Sequence, residues 1–469
     1  MLGVGAAIVL LAAAGCGSDG ERIESKPADP EAATWDTWVL ESPGEIAVPA
    51  PPAEGSPEAA ADERELERAR GERDPAAERE VQKWNGPPAV KPWLELAMRF
   101  VANRPKDPPS SSRAYALVSV AMYDATVAAW HWKKVHGREA PAGTDPLVPA
   151  GSMPSYPSEH AAMAGAASEV LAYAFPDEPR LRLEEMADQA ARSRVVAGVS
   201  RPSDVKAGLE LGRRVAQRVI ERARRDRVER KWDGRRPHGI RYWSPPPGSV
   251  SLPVQPLAGS WGTWVLRSGR ELRPEPPPRV GTPEFEKEAR EVVRVRASLT
   301  PEQKRVASFW AGGEGTPLPA GVWNQVILNY IAEENLSEPR AARVFALANV
   351  AMSDAGVASW DAKFTYWSPR PENAIRDTGI DRDWKPYLQT PLFPAYTSGH
   401  ATYSAAVGEV LAHLFPADAK DWRAKAEEAA ISRVYGGIHF PADSRVGSRM
   451  GREIGRRVVE HARRDGAER

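Results

Sequence analysis

Seven polar residues fall into three clusters between positions 363 and 443, and their types suit one task, the enclosure of a tetrahedral oxyanion. The first cluster is Lys363, then six residues, then Arg370 and Pro371; the second is Ser398, Gly399 and His400 within LFPAYTSGHATY. The third is Ser432 and Arg433, five residues, His439, three residues, Asp443. A multiply charged anion is costly to bury unless fixed cations compensate it. Lys363, Arg370 and Arg433 supply three, the arginines as planar forks that grip two oxygens and the lysine as a compact point charge. Two imidazoles remain, His400 and His439. One can bond covalently to the central atom and the other can move protons, and imidazole titrates in the range both tasks need. Singly, each of these residues reads as a surface charge, a structural histidine or a chance tripeptide. Three clusters in fixed order with one chemical purpose do not.

Helices must position these groups. The run ATYSAAVGEVLAHLF carries small and apolar residues at helical spacing, which predicts a helix with Ser398 as its N-cap and its first amides turned toward the anion. Asp443 lies four residues after His439, a spacing suited to orienting the imidazole, and Pro441 between them predicts that a helix begins there. Segments such as VKAGLELGRRVAQRVIERARRD and SRVGSRMGREIGRRVVEHARRD set apolar residues three and four apart, with arginines on the other face, while alternating strand patterns are scarce. The fold class this predicts is all-α.

The chain also repeats itself. TWDTWVL (34–40) returns as SWGTWVL (260–266), AMYDATVAAW (121–130) as AMSDAGVASW (351–360), YPSEHAAMAGAASEVLAYAFP (156–176) as YTSGHATYSAAVGEVLAHLFP (396–416), and SRVVAGVSRPSD (193–204) as SRVYGGIHFPAD (432–443). Two fused helical bundles from an internal duplication are therefore expected, the C-terminal one carrying the site. The first half keeps Lys133, Ser158, His160, Arg194 and Asp204, but Ala140 stands where Arg370 would be, Ser200 where His439 would be, and Glu159 in place of Gly399. A carboxylate there would repel an anion, so the first pocket reads as inactive. The expected divisions are an export signal at 1–16, an acidic Pro/Ala-rich tether at 17–80, an N-terminal bundle at 81–230, a Pro-rich connection at 231–300 and a C-terminal bundle at 301–469.

These motifs resemble the superfamily of type 2 phosphatidic acid phosphatases, vanadium-dependent haloperoxidases and bacterial acid phosphatases. Its signature is a lysine, six residues, Arg-Pro, then Pro-Ser-Gly-His, then Ser-Arg, five residues, His, three residues, Asp; this chain departs only at Thr397, which takes the place of the proline of the second motif. The resemblance implies that Lys363, Arg370, Ser398, Gly399 and Arg433 bind equatorial oxygens, that His400 is the acid–base residue, and that His439 is the axial partner of vanadium or, in a phosphatase, the phosphorus-bonding nucleophile. Trp360 and Phe393 resemble the halide-pocket aromatics of the chloroperoxidase-type enzymes, although aromatics at helical spacing also serve as core. The duplication fits the haloperoxidase-like branch, since small acid phosphatases need one unit.

Two enzymatic readings follow from the resemblance. The first is a vanadate-dependent haloperoxidase using hydrogen peroxide and halide; the second is an exported acid phosphatase that hydrolyses phosphomonoesters through a phosphohistidine and needs no cofactor. A third reading is an inactive anion-binding or scaffold protein. With 63 Lys+Arg against 63 Asp+Glu the net charge is zero, which argues against nucleic-acid partners. The opening MLGVGAAIVLLAAAGC is too short for an ordinary membrane span and ends on the chain's single cysteine. It resembles a bacterial lipoprotein signal lipidated at Cys16, with an ordinary secretory signal as the alternative. Export with an N-terminal lipid anchor is the expected location.

Overall fold

The computed structural model describes residues 28–468 apart from 86, 87, 105, 106, 150, 152 and 247, and all regular structure among them is helical. The expected signal and Cys16 lie outside the described residues. Three helices lead in: α1 Pro57–Gly71, α2 Pro75–Asn85 and α3 Lys91–Ala102. The first bundle follows as α4 Pro108–His136, α5 Glu159–Ala174, α6 Arg180–Val196 and α7 Pro202–Ala223. Next come α8 Pro283–Ala297, α9 Pro301–Phe309 and α10 Leu318–Ile331, then the second bundle, α11 Glu338–Tyr366, α12 Pro371–Asp377, α13 Gly399–Leu414, α14 Ala419–Tyr435 and α15 Pro441–Ala462. Side-chain caps fix many of the starts. Asp107, Ser158, Ser337 and Ser398 accept from the amides of Ser110, Ala161, Arg340 and Ala401, satisfying donors that a helix leaves orphaned.

The two bundles match element by element. Helices α4 and α11 each have 29 residues, α5 and α13 16, α6 and α14 17, and α7 and α15 22. Each long helix carries a wholly buried aspartate that clamps a preceding segment: Asp124 accepts from the amides of Trp38, Val39 and Leu40, and Asp354 from those of Trp264, Val265 and Leu266. Burial pushes Asp354 up to about 6 and Asp124 up to about 7, with the three amides holding each down. The clamped segments then cross over. Trp38 stacks on His461 of α15, 3.9 Å between ring centroids, while the Arg222 guanidinium of α7 lies 3.4 Å from the Trp264 ring.

One continuous apolar core joins the bundles, with Tyr115, Val118 and Met122 of α4 and Phe345, Ala348 and Met352 of α11 in the same cluster. Within the second bundle, α13 and α15 approach until only glycine fits: a Cβ on Gly451 would lie 2.3 Å from the Thr402 carbonyl oxygen. That contact holds Ser398, at the head of α13, against the start of α15, where the Ser398 amide donates to the Asp443 carbonyl at 3.0 Å.

Two expected divisions need correction. The segment assigned to a tether is packed from residue 28 onward, with Trp35 buried, Asp29 paired with Arg340 at 2.9 Å, and α1 laid against the first bundle, Asp62 bonding Arg138 and Ser203. The Pro-rich connection is likewise partly integral, since 264–266 wrap the Asp354 carboxylate and α8 packs Phe285 against Phe440. Acidic and proline-rich composition hid anchors whose partners lie far away in sequence.

Candidate oxyanion site

The three cations come from three elements and meet where α11, the α12 start and α14 converge on the N-termini of α13 and α15. Lys363, Arg370 and Arg433 are all wholly buried, 0 % exposed. Lys363, in the last turn of α11, donates to the carbonyls of Pro394 and Ala395 at 2.9 Å and of Thr397 at 2.5 Å. Its three N–H groups thus brace the segment leading to Ser398, and what it offers an anion directly is charge. Burial first, and Arg370 second, hold its pKa well below the ordinary lysine value. Arg370, the residue that precedes α12, donates from Nε to the Phe393 carbonyl at 2.7 Å and from Nη1 to the Ile438 carbonyl at 2.8 Å, while its Nη2 is buried without a partner. Arg433, near the end of α14, donates to Ser432 Oγ at 2.9 Å and to the carbonyls of Ala307 at 3.0 Å and Ala311 at 3.5 Å, at the C-terminal end of α9. Burial pushes both arginines down to about 9.

His439 lies just ahead of α15, and its tautomer is set from both sides. Arg370 Nη1 lies 3.0 Å from Nε2, and a guanidinium can only donate, so Nε2 carries the lone pair. Nδ1 then bears the proton, which goes to Asp443 Oδ2 at 3.0 Å. The same Asp443 oxygen accepts from the Phe440 amide at 3.0 Å, so one carboxylate both caps α15 and aims the imidazole. Burial raises Asp443 to about 7, against the pull of the Phe440 amide and Lys363. His439 is held well below its ordinary value by burial and then by Arg370 and Lys363.

His400, the second residue of α13, bonds the Trp310 carbonyl and keeps Nε2 buried without a partner; burial, then Arg433, push it well below the ordinary histidine value. Ser398 caps α13, with Oγ accepting from Ala401 at 3.4 Å. At Gly399 a Cβ would make only ordinary contacts, with the Trp360 and Tyr403 rings at 3.6 Å, so the glycine is not demanded by packing. The Trp360 and Phe393 rings sit 4.8 Å apart, the Lys363 ammonium 5.6 Å and 5.2 Å from their centroids. Every residue singled out in the second half is therefore brought into this one region.

The matching region of the first half is closed by its own carboxylate. Glu159, in Gly399's place, lies 2.9 Å from the Lys133 ammonium and 3.1 Å from His160 Nδ1. Burial would raise Glu159, but Lys133, His160 and Arg194 outweigh it and hold the group well below the usual carboxylate range. The expected repulsion is thus realised as replacement, with Glu159 serving as the anion. Arg194 bonds Asn85. Sequence reasoning overlooked Asp124 and Asp354, although the repeated AMxDAxVAxW pattern places an aspartate within an apolar run in both halves.

A family model described as the second helical-bundle domain of vanadium chloroperoxidase matches residues 343–426 and 419–466. The vanadium chloroperoxidase of Curvularia inaequalis is 30% identical over 149 residues, 26% of this chain and 24% of its own length. That match therefore spans about a quarter of the relative. A solved structure described as the first bacterial vanadium-dependent iodoperoxidase is 26% identical, with a TM-score of 0.65 over 79% of this chain and 95% of that one. These matches relate residues 343–466 to the second helical-bundle domain of vanadium chloroperoxidase, and the chain's fold to that of vanadium-dependent haloperoxidases. A holo-type bacterial vanadium-dependent chloroperoxidase, 17% identical with a TM-score of 0.56 over 77% of this chain and 93% of its own, shares the fold.

The site residues fit the tetrahedral oxyanion that the superfamily resemblance implies. The region concentrates buried positive charge, and two buried nitrogens, Arg370 Nη2 and His400 Nε2, have no protein partner. Among the described residues no group of three His, Cys, Asp or Glu could hold a free metal ion. No described helix is long and apolar enough to cross a membrane, unlike the helices of an integral-membrane lipid phosphatase.

Proposed function

We propose that the C-terminal bundle holds orthovanadate and oxidises a halide with hydrogen peroxide, with iodide the first halide to test. The observation that carries this reading is the cation triad, wholly buried around an imidazole whose lone pair is already aimed by Asp443. Bound there, vanadate would supply a Lewis-acid centre that activates peroxide toward halide. Lys363, Arg370 and Arg433 neutralise the oxyanion, with the Ser398 and Gly399 backbone at the α13 start completing the cradle. His439 Nε2 is the nitrogen that would hold it, with Nδ1 kept on Asp443. His400 Nε2, buried without a protein partner, would hold or release a proton beside the bound oxyanion. Trp360 and Phe393 supply an apolar, polarisable wall where a weakly hydrated halide would sit. Phosphomonoester hydrolysis is the second reading, because the same groups accept phosphate and His439 could attack it. Similarity to haloperoxidase structures across both bundles, with the paired aromatics, favours the first.

The test is a paired assay: iodide and bromide oxidation by hydrogen peroxide after orthovanadate loading, against phosphomonoester hydrolysis without vanadate. Vanadate-dependent halide oxidation that His439→Ala abolishes is expected. Hydrolysis alone, blocked by vanadate, would establish the phosphatase instead.

A further inference from the structure

The stretch that links the bundles gathers charge and exposed apolar surface in a chain otherwise balanced in charge. Residues 224–241 hold eight Lys or Arg against three Asp or Glu, and one of those acids, Asp226, is buried and paired with Arg113 at 2.8 Å. Arg227, Arg230, Lys231, Arg235 and Arg241 are exposed. Of the eight large hydrophobic side chains exposed among the described residues, four lie at the end of this stretch or just beyond it: Ile240 52 %, Tyr242 40 %, Val250 98 % and Leu252 74 %. Elsewhere such residues occur singly, which needs no explanation; a cluster beside a basic run does.

Rigid ties hold this segment beside the oxyanion site. Trp243 is buried and its amide donates to the Trp367 carbonyl at 2.6 Å. Asn373 Nδ2, three residues after Arg370, donates to Ser244 Oγ at 2.9 Å and the Pro245 carbonyl at 3.1 Å. At the far end the Val254 amide donates to the Leu392 carbonyl at 2.8 Å, and the Val254 carbonyl accepts from Trp360 Nε1 at 3.2 Å. Val250 and Leu252 thus project from a loop tied down on both sides. Arg227 also lines a cleft of ≈800 Å³ with Arg267 and Arg270, whose carboxylates are already engaged, Asp361 by Arg273 at 2.7 Å and Glu271 by Arg457 at 2.6 Å.

We propose that residues 224–246 and 248–252 form a docking surface for an anionic phospholipid bilayer, arginines on the headgroups and Ile240, Tyr242, Val250 and Leu252 in the interface. Charge complementarity selects the negative surface, and the apolar tip distinguishes a bilayer from a soluble polyanion, which would give those side chains no partner. The contact is separate from any lipid at Cys16 and independent of the chemistry proposed for the site.

The test is co-sedimentation of the full chain carrying Cys16→Ser with phosphatidylcholine vesicles, with and without phosphatidylglycerol. Binding is expected only with phosphatidylglycerol, weakened by salt, and reduced at least about tenfold by R235E/R241E and by V250D/L252D. Circular dichroism checks that each variant is folded. Equal binding to neutral vesicles, no binding to either, or binding that survives both pairs of substitutions would overturn the proposal. So would binding to soluble polyphosphate that V250D/L252D leaves intact, since that identifies a soluble polyanion as the partner.

Discussion

At the scale of single residues, burial keeps both imidazoles of the site neutral while its two arginines, at about 9, stay charged. His400 and His439 lie well below the ordinary imidazole value, and Asp443 is raised to about 7. An oxyanion beside His400 stabilises the imidazolium and raises its pKa, so binding takes up a proton. Lowering the pH also protonates Asp443, which removes a competing negative charge. Both effects have one sign. Sulfate, a tetrahedral anion that does not titrate in this range, is predicted to bind more tightly as pH falls through about 7, where Asp443 protonates, with net proton uptake. Calorimetric titration in buffers of different ionisation enthalpy measures this, and an affinity that falls or stays flat would count against the account. The residues themselves were legible because their chemistry depends on type and order. Their engagement was not: the three carbonyls on Lys363 and the Arg370 contact to His439 depend on how the segment before Ser398 folds back.

At the scale of elements, the site depends on how closely α13 and α15 approach, and two glycines separate its causes. Gly451 is needed for packing, because a Cβ would meet the Thr402 carbonyl oxygen at 2.3 Å. Gly399 is not, since its nearest contact would be 3.6 Å. Gly451→Ala is therefore predicted to cost about 1–3 kcal/mol in urea unfolding, while Gly399→Ala leaves stability within about 1 kcal/mol and weakens sulfate binding by placing a methyl group over the first amides of α13. Equal stability losses in the two variants would contradict this division. The helix starts were readable from sequence, Ser398 and Pro441 marking α13 and α15 as expected. The contribution of α9 was not, because nothing local in its sequence announces that the Ala307 and Ala311 carbonyls will face Arg433.

At the scale of the whole molecule, two corresponding bundles share one core yet differ in charge. We propose that they descend from one duplicated unit, on the equal lengths of their four paired helices and the crossed contacts of Trp38 and Trp264. The repeat was visible in the sequence; the packing of residues 28–80 was not, because the clamp of Asp124 on residues 38–40 joins positions more than eighty apart. Glu159 neutralises the first pocket from within, whereas the second keeps three cations for a ligand. Equilibrium dialysis with orthovanadate tests that asymmetry most directly. A single site per chain is predicted, lost in His439→Ala and unaltered in Ser200→Ala. Two equivalent sites, or one that persists without His439, would contradict it.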